Sequence, residues 1–215
     1  MDSYLVKINY VLMLLMTLFA TYYHKKTVQT PLRYLVYLLW FMLVSDFVIA
    51  RYLSFIKLHN VWWYNIIVNI EIVFYLALFY QYIQRPLSKK VIFIGAVVSE
   101  LYYLVSFLFL AESWNEWQGY PFALGSFVVI LAIFIFLIEF FNTDKIFYLR
   151  EYLIFWVAIG VLFYLVVAMP LTIAQYYMLS EDYSGSGMSY IQYVANIFMY
   201  ISFIIGFIWS KRSFK

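Results

Sequence analysis

The sequence contains no cysteine. That excludes disulfides, iron–sulfur clusters, thiolate zinc, covalently attached c-type haem and a thiol nucleophile. Histidine is nearly as scarce. His24 and His59 both fall in predicted connectors, so neither a histidine-rich zinc site nor a Ser-His hydrolytic pair can be built in an apolar segment. Charged residues make up 12% of the chain, with four prolines and seven glycines. The net charge of +3 is modest and is not gathered into one patch, so a nucleic-acid footprint is absent. These shortages lead us to expect no metal, no cofactor and no nucleic-acid partner.

What is abundant is apolar and aromatic. The chain is 67% hydrophobic with a mean hydropathy of +0.86, where a soluble domain is about half apolar. The excess runs along the whole length, which predicts a polytopic membrane protein whose first partner is the lipid bilayer. Aromatics reach 24%, including 23 Tyr and 7 Trp. Tyr and Trp suit the two membrane interfaces, but so many tyrosines must also enter the interior, where their hydroxyls can bond carboxyls and amides. Asp2 precedes Lys7, and the first apolar run ends at His24-Lys25-Lys26 without a small-x-small site. A cleaved signal peptide is therefore not expected.

A span needs about 20 mostly apolar residues. Such runs lie at about 4–23, 34–56, 61–83, 91–111, 122–141, 152–178 and 190–210. The expected fold class is all-α, one transmembrane domain over 1–215 built as a bundle of seven helices. Thr30-Pro31, Arg85-Pro86, Gly119-Tyr120-Pro121 and Ser184-Gly185-Ser186-Gly187 read as connectors. All are short, which leaves no room for an output domain. The turn at 58–61 is the least marked.

Of the 14 cations, 11 follow spans 1, 3, 5 and 7. They include Lys25, Lys26, Arg33, Arg85, Lys89, Lys90, Lys145, Arg150, Lys211, Arg212 and Lys215. The other side carries Lys7 and Lys57 with Glu112, Glu116, Glu181 and Asp182. The positive-inside rule then sets the N-terminus outside and the C-terminus in the cytoplasm.

Against this background Asp46, Glu71 and Glu100 stand out. Each lies within about one residue of the middle of its span, where a carboxylate costs roughly 2.5–3.5 kcal/mol on insertion scales. Glu71 shares a helical face with Tyr64, Tyr75 and Tyr82. Gln192, Asn196 and Tyr200 form a second polar stripe at i, i+4, i+8. Trp156, Gly160 and Tyr164 form a third, whose glycine admits a neighbouring helix or a ligand. Asp46 has an aliphatic face, so its partners must come from other helices. Glu100 has Tyr103 one turn along. Arg51 lies five residues from Asp46, poorly placed for an intrahelical pair, and is expected to snorkel outward or to meet Glu71 or an anionic headgroup. Pro170 is expected to kink span 6. Trp62, Trp63, Trp114 and Trp117 read as an outer interfacial belt. The carboxyls serve either as interhelical packing groups or as a pocket, proton path or cation site formed by spans 2, 3, 4 and 7.

Several familiar chemistries lack their residues. No span has an interior lysine for a retinal Schiff base. Gln81-Tyr82-Ile83-Gln84-Arg85 is not the receptor Asp-Arg-Tyr signature, and Asn-Pro-x-x-Tyr and Gly-x-Gly-Asp are absent. No repeat relates spans 1–3 to spans 5–7, which argues against an inverted-repeat transporter.

Trp63-Tyr64, Glu71 and Phe79-Tyr80, with Phe155-Trp156, Gly160, Tyr164 and Asn196, resemble a group of small seven-helix membrane proteins frequent in Bacteroidota. That resemblance implies seven helices and an inner-membrane location, and it assigns no catalytic role. The preferred functional reading is non-enzymatic: a signalling sensor or accessory protein that binds a small ligand or lipid and acts through a protein partner. The alternatives are a carboxylate-dependent lipid hydrolase and a proton-coupled transporter or channel. The candidate ligand-binding or proton-relay residues are Asp46, Glu71, Glu100, Tyr75, Tyr164, Asn196, Gln192 and Arg51.

Overall fold

The computed structural model describes residues 2–110, 116–179 and 186–211. Its α-helices are α1 (Asp2–Tyr22), α2 (Arg33–Val44), α3 (Ala50–Phe55), α4 (Val61–Tyr82), α5 (Pro86–Val105), α6 (Gly119–Phe141), α7 (Leu153–Leu179) and α8 (Ser186–Trp209). A π-helical turn, Ser45–Ile49, joins α2 to α3 without a break, and a second, Ser106–Leu110, prolongs α5. Seven stretches are long and apolar enough to cross a membrane: Tyr4–Tyr22, Arg33–Leu53, Val61–Tyr82, Pro86–Phe109, Gly119–Phe141, Leu153–Ala174 and Tyr190–Trp209. The protein is thus all-α and polytopic, with the seven spans in the order that hydropathy predicts. Glu112, Trp114, Glu181, Asp182, Arg212 and Lys215 lie outside the described residues.

Two span starts differ from expectation. α5 opens at Pro86 and α6 at Gly119 with Pro121 in its first turn, so both prolines lie inside helices rather than in connectors. A proline in the first turn gives up an N–H that has no intrahelical acceptor, and its fixed φ suits helix entry. Pro170 sits inside the continuous α7.

The turn between α3 and α4 is closed by a Schellman-type cap. Leu58 N–H donates to Leu53 O at 3.0 Å, and Lys57 adopts φ 57°. That left-handed residue ends α3 and reverses the chain within a few residues. This is why a connector with so few turn residues still separates two spans.

The described chain forms two compact units. One joins the residues up to Leu39 with those from Leu137 onward, and the other is Trp40–Phe136. In the first, α8 packs on α7 and on α1. Lipid tails are as apolar as leucine, so helices associate through close packing at small residues rather than through hydrophobic expulsion. Gly206 shows this. A Cβ there would stand 2.6 Å from the Trp156 Cβ, and one at Gly160 would stand 3.0 Å from the Phe203 ring. Ser202 Oγ adds a hydrogen bond to the Trp156 carbonyl at 2.8 Å. In the second unit α4 packs on α5. Phe136 of α6 meets Phe79 at 5.7 Å and Tyr82 at 6.0 Å between ring centroids. Gly125 faces Ile72, and Gly95 faces Val128.

Candidate functional site

All three mid-span carboxyls belong to the unit Trp40–Phe136. Asp46 lies in the π-helical turn, where Ala50 N–H donates to Ser45 O, five residues back. Such a turn inserts one residue into an α-helix and is frequent at functional sites. The Ser45 hydroxyl at its start is buried and without a hydrogen-bond partner among the described residues. The Asp46 carboxyl accepts a hydrogen bond from Tyr64 of α4, and its charge acts on Glu71 of the same helix. Tyr64 and Glu71 are seven residues apart, two turns of α4, so they present one face toward Asp46. Tyr64 thus serves Asp46, which has no polar neighbour on its own face.

Glu100 belongs to a different cluster. Asn69 Nδ2 donates to Glu100 Oε2 at 3.0 Å. Asn69 and Glu71 are two residues apart, and at 100° per residue their side chains diverge by about 160°. The same α4 therefore offers Glu71 to Asp46 on one face and Asn69 to Glu100 on the other. Among the described residues no three of His, Cys, Asp or Glu gather closely enough to hold one ion. The trio divides into a carboxyl pair and an amide–carboxyl pair.

Tyr103 stands beside Glu100 and feels its charge. Its ring stacks on Phe107 at 5.9 Å, and its buried hydroxyl has no hydrogen-bond partner among the described residues. The ring borders a cavity of about 10 Å³ with Asn65, Asn69 and Gln118. That volume and those polar groups suit a single water molecule. The neighbouring Asn65 ties α4 to the segment before α6. Its Nδ2 donates to Glu116 O at 2.7 Å, and its Oδ1 accepts from Gln118 N–H at 3.1 Å. Ser106 in turn donates to the Gln118 side chain. Sequence reasoning passed over this lock. Its only trace was the i, i+4 spacing of Asn65 and Asn69.

The remaining candidates are placed as follows. Tyr75 is buried on α4 and meets Phe74 edge-on. Arg51 is exposed, with its guanidinium over the Phe47 ring at 5.5 Å, in keeping with an outward-reaching side chain. Tyr164, Gln192 and Asn196 are partly buried in the other unit. Gly160 is filled by Phe203 of α8, so its space serves helix packing. Trp63 departs from the interfacial reading. Its indole N–H is buried without a partner among the described residues, and its ring lies against Phe41 at 6.5 Å. Trp117 packs on Phe122 and borders the water-sized cavity.

Seven spans and polar groups clustered at mid-span define a polytopic α-helical membrane protein. No family model, no curated protein and no solved structure matches the chain.

Proposed function

We propose that this chain is a non-enzymatic, proton-responsive signalling or accessory protein of a bacterial inner membrane. The carrying observation is the electrostatic coupling of Asp46 to Glu71 at mid-span, with Asp46 set in a π-helical turn and bonded by Tyr64. Two facing carboxyls in a medium of low dielectric share a proton at less cost than they bear two charges. Adding or removing that proton changes the repulsion across α2–α3 and α4. A π turn is a natural place to absorb the change, because its extra residue can shift along the helix. The inner-membrane location rests on the Bacteroidota resemblance, and the outside N-terminus rests on loop charge.

The reading is tested by hydrogen–deuterium exchange in nanodiscs across a pH series. After correction for intrinsic exchange, residues 45–55 should gain or lose protection with pH in the wild type. Asp46→Asn and Glu71→Gln should each flatten that response. An unchanged profile in both variants contradicts the proposal.

A further inference from the structure

A second polar feature lies in the other unit and is independent of the carboxyls. A cavity of about 530 Å³ is lined by Lys25, Lys26 and Lys211, with Gln29 at its wall and Leu153 and Ile154 among its apolar lining. The volume falls within the range of small-molecule sites. Among the described residues no acidic side chain lines it.

The lysines are gathered by structure rather than by sequence. Lys25 and Lys26 lie in the 3₁₀ turn His24–Lys26 that follows α1, whereas Lys211 follows α8. Lys26 Nζ donates to Phe207 O at 3.2 Å and to Ser210 O at 3.0 Å, carbonyls at the C-terminal end of α8. The Tyr23 ring lies under the same ammonium at 4.1 Å. An ammonium has three donors, so Lys26 is fixed in place with one N–H to spare. Lys211 is held in turn by its backbone N–H to Glu151 O at 3.0 Å. Lysines that serve only to orient a membrane protein need no cavity and are best kept apart in water. Here three converge, and like charges brought together favour an anion between them.

We propose that this cavity binds a phosphate-bearing anion, with Lys25 and Lys211 contacting the phosphate oxygens and Lys26 orienting the site. Basic pockets beside membrane spans suit phosphate headgroups. The apolar part of the lining suits the carbon skeleton of a phosphate ester.

The test uses the full chain in phosphatidylcholine nanodiscs. One arm titrates inorganic pyrophosphate by calorimetry. The other dopes the disc with phosphatidylglycerol and follows lipid retention by native mass spectrometry. At least one probe should bind the wild type. The double variant Lys25→Gln/Lys211→Gln, which changes two exposed side chains, should weaken that binding by about tenfold or more, equivalent to about 1.4 kcal/mol. Lys7→Gln, outside the cavity, should leave it unchanged. Lipid retention without pyrophosphate binding identifies a headgroup site, and the converse identifies a soluble phosphate compound. The proposal is overturned if neither probe binds the wild type, or if the double variant binds as the wild type does.

Discussion

Asn69 and Glu71 stand two residues apart on α4 and serve opposite sides of it, the amide bonding Glu100 and the carboxyl lying in the field of the Asp46 charge. One helix therefore organises both of these polar clusters. The two are separable by mutation because they share no side chain.

Asn69→Leu should destabilise the protein by roughly 1–2 kcal/mol, since it strands the Glu100 carboxyl in an apolar setting. Asn69→Leu/Glu100→Leu should recover much of that loss, because both polar partners are removed together. Unfolding in mixed detergent measures both. A double variant no more stable than the single one would contradict the pairing.

The glycines of the first unit should differ in tolerance. A Cβ at Gly206 meets the Trp156 Cβ at 2.6 Å, close to the backbone, whereas one at Gly160 meets the Phe203 ring at 3.0 Å. Gly206→Ala should cost about 1–3 kcal/mol through overpacking, and Gly160→Ala should cost less. Thermal unfolding of the two variants checks the order, and a reversed order would show that α7 and α8 pack differently.

How much of this was legible in the sequence follows from what each level of structure depends on. The spans could be read because each crossing needs a long apolar run, and Lys57 could cap α3 without glycine. The depth of Asp46, Glu71 and Glu100 could be read for the same reason. Their partition could not, because it depends on which helix lies against each face of α4. The π turn around Asp46 left no compositional mark, since it arises where packing is best met by one extra residue. Lys25, Lys26 and Lys211 read as topology signals, and only the return of α8 beside the α1 turn brings them to one cavity.

Lys26 should titrate below the ordinary lysine range. Partial removal from water is the larger cause, and the charge of Lys211 is the second. Lys25 lines the same cavity, and the Tyr23 ring lies under the ammonium. A lysine whose pKa is lower in the fold than in the open chain costs stability while charged. That cost disappears as pH rises from the folded to the unfolded midpoint. Lys211→Gln should raise the Lys26 midpoint part of the way back, leaving the desolvation share. Carbon-13 NMR of labelled lysine side chains follows it, and an unmoved midpoint would remove Lys211 from the explanation.

The proposed function rests on a proton that Asp46 and Glu71 would share. Infrared spectroscopy of the protein in lipid reads it directly, through the carbonyl stretch of a protonated carboxyl at neutral pH. The wild type should show such a band, and both Asp46→Asn and Glu71→Gln should alter or abolish it, with Glu100→Gln leaving that component in place. A band that survives unchanged in both pair variants, or its absence from the wild type, would contradict the account.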